Sequence, residues 1–306
     1  MPIAAGVAQM ELEYFVVDVF SDTPFKGNPL AVVMNGTGFT TEQMQSIARE
    51  FNLSETTFVL RRPANVEQAE GIRVRIFTTL EELNFAGHPT LGTASVLKVH
   101  APGAMRDSIV TLALNVGAVP VKFNDEGLFG EMTQRDPEFG AELDSPVVAR
   151  LLGLSPTDMH PALAPQVVST GTAFAIVALG SIEALGRLRV DQVEATPWLR
   201  ERGARWFYVL APADEPIAFG EPAWRARMQF NGTEDPATGS AAGCAISYLV
   251  AHNAVPSAER IHVRQGVEMG RPSDLFLTAK KDVSRVTDVR VAGSTVFVAN
   301  GHLFLP

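Results

Sequence analysis

The hydrophobic pattern of the first fifty residues predicts a β-hairpin followed by a helix. Two β-branched and aromatic runs, 13–20 and 30–34, flank a segment rich in turn residues. Residues 40–51 then carry apolar side chains at helical spacing, and Thr40 with Gln43 has the signature of a capping box. We therefore expect an amphipathic helix that covers a sheet.

The hydrophobic pattern predicts further strands and helices along the rest of the chain. Apolar segments bounded by turn residues predict further strands at 52–60, 73–77, 108–123, 128–133, 166–179, 206–210, 225–230, 260–266, 275–278, 286–291 and 296–298. Short helices are expected at 146–152, 181–188 and 190–202, and a polar loop at 61–71. Segment 169–179 is interpreted as an echo of the 54–60 strand that lacks an acid where Glu55 stands.

One unit of the pattern occurs twice. In each copy an acidic residue is followed, five positions later, by a glycine and an apolar run: Glu82 and Gly87 in segment 82–97, Glu234 and Gly239 in segment 231–250. A strand-like segment with alternating arginines precedes both copies. The chain is therefore expected to consist of two related halves, and ligand clefts favour the seam between domains.

Each apolar run begins with small or polar residues that leave backbone N–H groups uncovered. Gly239 and Ser240 begin the second run, and Gly87 and His88 begin the first. Helix N-termini of this kind can bind an anion, so the two starts together are expected to hold one carboxylate. The alternative is that the small residues 241–245 only mark a tightly packed helix.

Composition narrows the class of protein. A length of 306 residues suggests two domains, and 25 Lys+Arg against 34 Asp+Glu give a net charge of −9. This balance disfavours a nucleic-acid or anionic-membrane surface but permits a small anionic ligand held by local dipoles. No apolar stretch has the length of a membrane span or a signal sequence, so we expect a soluble, cytoplasmic protein with no membrane partner.

Thiol, metal and nucleotide chemistry are not expected. The single cysteine, Cys244, excludes an intrachain disulfide and any mechanism that needs two thiols in one chain. The histidines show no close metal-ligand spacing, and Gly36 with Gly38 makes only an incomplete nucleotide signature. We therefore predict no metal and no cofactor.

Several segments in the same order carry a resemblance to a known family. They are 18–20, 27–29, 52–58, 85–89, 234–240 and 265–273. With them the chain resembles, nearly end to end, the PhzF-like family of phenazine-biosynthesis isomerases. The resemblance implies an α+β diaminopimelate-epimerase fold, in which two pseudo-symmetric domains each curl a sheet or barrel around a central helix. We expect these domains at 1–133 and 134–292, with a C-terminal strand at about 293–306 returning to the first and the active site between them.

The resemblance also implies roles for individual residues. Glu55 matches the family's acid/base residue. The supporting polar groups of the site would be His88, Asp235 and Ser240, and the substrate-contacting positions Asn28, Gly87 and Gly239. Racemases of this fold use a cysteine at each helix start, where this chain has Ala86 and Thr238, so a two-thiol racemase is disfavoured.

The chemistry fits these assignments. Moving a proton beside a carboxylate needs a base that can return the proton, and a glutamate enclosed between domains should have the raised pKa that suits this task. A non-catalytic alternative stays open for each residue. Glu55 would then be a solvated residue at the start of a strand, His88 an ordinary loop histidine, and Asp235 an acidic residue favoured by the helix dipole.

The leading hypothesis is a cofactor-independent isomerase acting on a small carboxylate, which in the family's named member is a dihydro-hydroxyanthranilate. A lyase or a racemase/epimerase on the same scaffold is the second class, and a non-catalytic small-acid-binding protein the third. A symmetric homodimer is the prior expectation for a soluble enzyme.

Overall fold

The structure is a computed structural model that describes residues 10–124, 127–213, 223–230, 232–283 and 285–305. Residues 1–9, considered above for a signal sequence, lie outside the described residues. So does Asn231, the first residue of the second repeat copy.

The described chain alternates strands and helices. The helices are α1 (Thr41–Phe51), α2 (Ala64–Glu70), α3 (Gly87–His100), α4 (Ser145–Leu151), α5 (Ile182–Gly186), α6 (Gln192–Glu201) and α7 (Gly239–Ala251). The strands are β1 (Met10–Val19), β2 (Asn28–Val33), β3 (Glu55–Leu60), β4 (Ile72–Phe77), β5 (Glu82–Leu83), β6 (Met105–Arg106), β7 (Ile109–Leu114), β8 (Gly117–Phe123), β9 (Gly130–Thr133), β10 (Glu138–Glu142), β11 (Gln166–Ser169), β12 (Ala173–Ala178), β13 (Trp206–Pro212), β14 (Ala223–Arg227), β15 (Gln229–Phe230), β16 (Thr233–Glu234), β17 (Ile261–Gln265), β18 (Ser273–Asp282), β19 (Arg285–Gly293) and β20 (Thr295–Leu305).

Most of the sequence-based elements are confirmed. The hairpin is β1 with β2, and Thr40 caps α1 in the expected capping box with Gln43. The prediction of a polar loop at 61–71 was wrong, because helix α2 occupies most of this segment. The helix is short and has no buried residue, so it has no hydrophobic stripe that the sequence pattern could reveal.

The two halves repeat one strand order. In the first half, β1, β2, β3, β4, β7, β8 and β9 pair successively as antiparallel, parallel, antiparallel, parallel, antiparallel and antiparallel neighbours. In the second half, β11, β12, β13, β14, β17, β18 and β19 follow the same sequence of orientations. The repeat seen in the sequence is therefore a repeat of architecture.

This strand order corrects one interpretation made from the sequence, the match of segment 169–179 with the strand at 54–60. Strand β12 corresponds to β2, and the strand that corresponds to β3 is β13. The registers make the match residue by residue: Phe58 lies opposite Arg75, and Val209 lies opposite Arg227. The second-half counterpart of Glu55 is therefore Trp206, and the echo expected at 169–179 was misplaced by one strand.

The two central helices are buried along nearly their whole length. Helix α3 is buried from Gly87 to Leu97 and α7 from Gly239 to Val250. A helix that is apolar on all sides must be covered on all sides, and each one is wrapped by the strands of its own half. The fold is the expected diaminopimelate-epimerase-like arrangement of a curled sheet around a central helix.

The acidic residue of each repeat copy closes an equivalent ion pair. The Arg75 guanidinium donates to both carboxylate oxygens of Glu82, at 2.8 and 2.5 Å. Arg227 donates to both oxygens of Glu234, at 2.9 and 2.7 Å. Both pairs join residues seven positions apart and are largely shielded from solvent. These carboxylates therefore hold the turn that leads to each central helix.

The halves are joined along the sheet and at the C-terminus. Strand β9 pairs with β19, and β20 pairs antiparallel with β1 over its full length. This pairing supports our proposal that the C-terminal strand belongs with the first domain, and the boundaries 1–133 and 134–292 remain a proposal. No helix among the described residues has both the length and the apolarity needed to cross a membrane.

Candidate active site

The first turns of α3 and α7 meet at the seam between the halves. A Cβ atom added to Gly87 would lie 2.7 Å from both the Cα and the carbonyl carbon of Gly239 and the same distance from the Ser240 nitrogen. Only glycine allows two backbones to approach this closely. Neither N-cap residue, Ala86 or Thr238, caps its helix with a side-chain hydrogen bond, so the positive ends of two helix dipoles converge on one place.

Glu55 and His88 face each other beside these helix starts. Glu55 begins β3, and its side chain is 15% exposed; that of His88 is 4% exposed. The Glu55 Oε2 and His88 Nε2 atoms are 3.2 Å apart. Neither atom has a well-directed hydrogen-bond partner among the described residues, although both are buried. Two buried polar atoms that lie this close without a well-directed hydrogen bond are typical of a site that acts on a ligand.

Burial shifts the protonation equilibria of both groups. It raises the pKa of Glu55 well above its usual value, and the neighbouring charge of Asp235 raises it further. Burial lowers the pKa of His88 to about 3, so the imidazole is neutral at neutral pH. The site thus combines a carboxyl group that keeps its proton to a higher pH than usual with an imidazole that is uncharged at neutral pH.

Asn28 connects His88 to Asp235. Its amide nitrogen lies 3.1 Å from His88 Nδ1 and donates at 2.8 Å both to Asp235 Oδ1 and to the Ala237 carbonyl. Two of these three partners can only accept, which identifies the nitrogen of the amide. The amide has two hydrogens for these three acceptors, and where Nδ1 accepts one of them the imidazole proton lies on Nε2, the atom that faces Glu55. Asn28 is the first residue of β2 rather than part of the hairpin tip as expected.

Asp235 is held by short hydrogen bonds in a buried position. The Thr238 hydroxyl donates to Asp235 Oδ2 at 2.6 Å. Burial raises the pKa of Asp235 to about 6; the bonds from Thr238 and Asn28 lower it, and the charge of Glu234 raises it. The carboxylate therefore does more than complement the helix dipole, because it holds two side chains, those of Asn28 and Thr238, beside the start of α7.

Gln265 is a supporting residue to which the sequence analysis gave no role. Its Nε2 donates to the Asp235 carbonyl at 2.7 Å and to the Thr238 hydroxyl at 3.0 Å. Its Oε1 accepts from the Thr238 N–H at 3.1 Å and from the Tyr208 hydroxyl at 3.0 Å. The sequence did hold a signal, since Ile261, Val263 and Gln265 alternate along β17 toward the core, and a buried amide at such a position requires partners.

Gln134 is a second residue that the sequence reasoning missed. It lies between β9 and β10, where the chain crosses from one half to the other. Its amide donates to the Gly239 carbonyl at 2.9 Å and accepts from the Thr170 hydroxyl at 2.7 Å. A Cβ on Gly243 would lie 1.9 Å from the Gln134 side-chain oxygen. The small residues in α7 therefore make room for this amide.

Cys244 is a buried residue in the interior of α7. Its sulfur lies 3.6 Å from the Thr170 hydroxyl and from the Thr172 carbonyl, and burial raises its pKa to about 11. The thiol is therefore protonated at neutral pH, as expected for a cysteine that fills space. In the part of the chain that the structure describes, no three His, Cys, Asp or Glu side chains are grouped to hold a metal ion.

The seam contains two adjoining cavities. The inner cavity has a volume of about 440 Å³, and Glu55, Asp235 and Ser240 contribute to its wall. Asn28 and His88 lie behind this wall in contact with Asp235 and Glu55. The outer cavity, of about 720 Å³, shares part of its wall with the inner one. The structure thus brings all seven candidate residues named from the sequence close together, and three of them, Glu55, Asp235 and Ser240, line a space large enough for a small ring compound.

Comparison with known proteins finds relatives that are similar to this chain over nearly its whole length. The family model described as phenazine biosynthesis-like protein, PhzC-PhzF, matches residues 17–301. A trans-2,3-dihydro-3-hydroxyanthranilate isomerase of Pseudomonas chlororaphis is 34% identical over 298 residues, covering 95% of this chain and 99% of the relative. A protein of Mesorhizobium japonicum described as an uncharacterized isomerase is 36% identical over 311 residues, covering 95% and 98%.

Solved structures agree with these sequence matches. The crystal structure of a PhzF-family phenazine biosynthesis protein from Bacillus anthracis superposes with a TM-score of 0.82 at 25% identity. The superposition covers 97% of this chain and 100% of that one. The likeness therefore extends over both halves and the seam between them.

Proposed function

We propose that this chain, which belongs to the phenazine biosynthesis-like PhzC-PhzF family, is an isomerase that moves a proton along the carbon skeleton of a small carboxylate. Relatives of the chain over its full length are named as isomerases. The observation that carries the proposal is the buried contact of 3.2 Å between Glu55 and His88 beside two converging helix starts. This arrangement offers a proton carrier next to a place where negative charge is stabilised.

Glu55 carries the proton. In its carboxylate form it takes a proton from one carbon of the substrate, and the electron pair of the broken C–H bond shifts along the adjacent unsaturated system. The protonated Glu55 then returns the proton to another carbon, so no atom or electron is gained or lost overall. The raised pKa of this carboxyl makes both directions of transfer feasible near neutral pH.

The helix starts and polar side chains complete the site. Backbone N–H groups at Gly87, Gly239 and Ser240 hold the substrate carboxylate and the charge that develops beside it. The Nε2–H of His88 donates toward Glu55 or the substrate. Asn28 and Asp235 orient that imidazole, so they are positioning residues in this proposal.

The first substrate to test is trans-2,3-dihydro-3-hydroxyanthranilate. A relative that is 34% identical over nearly its whole length is named as the isomerase of this compound. The compound combines a carboxylate with an unsaturated ring, which fits the chemistry proposed for Glu55. We propose that the reaction needs no cofactor, since every step uses groups of this chain.

Glu55→Gln tests the proposal most directly. In deuterated buffer we expect wild-type protein to exchange or isomerise the substrate, measured by mass spectrometry and proton NMR. The variant should lose at least ~10³-fold in turnover because it removes the only proton carrier of the scheme. Glu50→Gln, an exposed neutralisation on α1, is the matched control and should keep full activity.

The alternatives give different outcomes in the same experiment. A binding protein without catalysis shows no deuterium incorporation in either form, and a lyase releases a fragment instead of an isomer. A racemase that uses two thiols is disfavoured, because the N-cap positions of α3 and α7 are Ala86 and Thr238. We further propose a homodimer, which light scattering after size exclusion can test.

A further inference from the structure

We infer that Arg205 selects substrates with a second accepting group, a carboxylate or a hydroxyl, at the outer end of the inner cavity. The inference rests on the proposed function, in which the first carboxylate lies at the helix starts. The guanidinium pairs with Glu81. The second group of the substrate replaces Glu81 as its partner.

The place of Arg205 in the cleft supports this role. The inner and outer cavities share the wall residues Glu81, Leu83, Phe85, Thr172, Arg205 and Trp206. Arg205 therefore lies on the part of the wall that the two cavities share. A ligand that extends from the helix starts to this shared wall would meet its guanidinium.

The charges of the cavity wall single out the same residue. Among the described residues that line the inner cavity, Arg205 is the one Lys or Arg, while Glu55, Glu81, Glu234 and Asp235 are acidic. Glu234 is already bound by Arg227. An anionic group entering this cavity therefore finds one cationic side chain, and a guanidinium binds carboxylates in a bidentate manner.

The ion pair with Glu81 is suited to exchange. The Arg205 side chain is 42% exposed and the Glu81 side chain 55% exposed, so the pair contributes little to folding stability. Glu81 comes from the opposite half, on a turn held by the Thr78 hydroxyl. When a ligand carboxylate replaces Glu81 as the partner of Arg205, the Glu81 side chain becomes fully hydrated, and it is already partly exposed to solvent. Replacing one carboxylate by another therefore costs little.

The internal symmetry places Arg205 and Trp206 opposite the catalytic strand. Because Trp206 is the counterpart of Glu55, the pair Arg205–Trp206 occupies in the second half the position of Ser54–Glu55 in the first. Both strand starts line the inner cavity. One wall thus supplies the proton carrier, and the equivalent point of the other wall supplies the cation.

The surroundings of Arg205 favour a flat ring between the two ends. Its guanidinium lies 4.2 Å from the centroid of the Trp206 ring. Trp206 packs against Phe174 and Phe230, with ring centroids 6.1 and 5.3 Å apart, and all three line the inner cavity. Aromatic faces bind unsaturated rings well, and the contact with the Trp206 ring holds the guanidinium beside the place where such a ring would lie.

Binding of unreactive ring acids tests the inference independently of turnover. Benzoate has one carboxylate and terephthalate has two at opposite ends of the ring, and both dissociation constants are measured by isothermal titration calorimetry. We expect wild-type protein to bind terephthalate about tenfold more tightly than benzoate. Arg205→Gln should remove this preference and leave the benzoate constant within about twofold of wild type.

Glu81→Gln gives the opposite prediction, which separates exchange from a merely structural ion pair. Without the competing carboxylate, terephthalate should bind about threefold to tenfold more tightly than in wild type. The double variant should behave like Arg205→Gln. Arg150→Gln, which breaks an exposed Arg–Glu pair outside the cavity walls described above, is the matched control and should change neither constant.

Two results overturn the inference: a preference for terephthalate that survives Arg205→Gln, or weaker terephthalate binding in Glu81→Gln. Circular dichroism melts of each variant, expected to match wild type, show that the fold is retained. Failure of the isomerase proposal appears instead as absence of deuterium incorporation by wild-type protein. The two failures are therefore distinguishable.

Discussion

Substitution of Gly87 by alanine examines the contact on which the site depends. The added Cβ would lie 2.7 Å from three backbone atoms of Gly239 and Ser240. Ordinary contact begins at 3.4 Å, so the two helix starts must separate by about 0.7 Å to restore it. Backbone cannot rotate away as a flexible side chain can, and overpacking of this kind typically costs about 1–3 kcal/mol.

The activity loss should exceed what the stability loss explains. A displacement approaching 1 Å in a catalytic arrangement can reduce the rate about 10²-fold, because it misaligns the donors and the substrate. We expect kcat/KM of Gly87→Ala to fall about 10- to 100-fold, while urea denaturation shows that the protein remains folded at the assay temperature.

Two further glycines give a graded comparison. A Cβ on Gly239 would meet Phe20 at 3.1 Å and Gly87 at 3.2 Å, so Gly239→Ala should be milder. A Cβ on Gly186 meets nothing within 4 Å, so Gly186→Ala should keep full activity. Equal activity of Gly87→Ala and Gly186→Ala would refute the close approach of the helix starts and its role.

Three other predictions follow from the same network. Because burial raises the folded-state pKa of Glu55, ionisation of this group opposes folding as pH rises from its ordinary value through the raised one. Glu55→Gln should therefore raise the urea midpoint relative to wild type at pH 8 but not at pH 4, and an equal shift at both values contradicts the buried-charge argument. Asn28→Ala leaves His88 and Asp235 without their shared donor, so stability should fall by about 1–3 kcal/mol and kcat/KM by about 10²-fold; full activity in steady-state assays would exclude the positioning role. Dialysis against EDTA should leave turnover unchanged, and loss restored by one divalent metal would disprove cofactor independence.

The sequence alone determined what depends on neighbouring positions. The capping residues of α1, the alternation of most strands and the doubled unit around Gly87 and Gly239 are local patterns, and the structure has each of them. The family resemblance supplied Glu55 by its position in a motif. It could not show whether that side chain is buried, because burial is a property of packing.

Tertiary structure decided which residues meet. Asn28 and Asp235 are 207 positions apart, yet one hydrogen bond of 2.8 Å joins them. Gln134 became part of the site because the chain crosses between the halves beside α7, and Gln265 because β17 ends beside the turn that leads into α7. Helix α2 forms without a hydrophobic stripe, and the match of β13 with β3 appears only in the pairing registers. Local propensity acts over a few residues. These contacts depend instead on how the N-terminal ends of the two central helices pack against each other, and no short-range sequence pattern encodes contacts between residues so far apart in the chain.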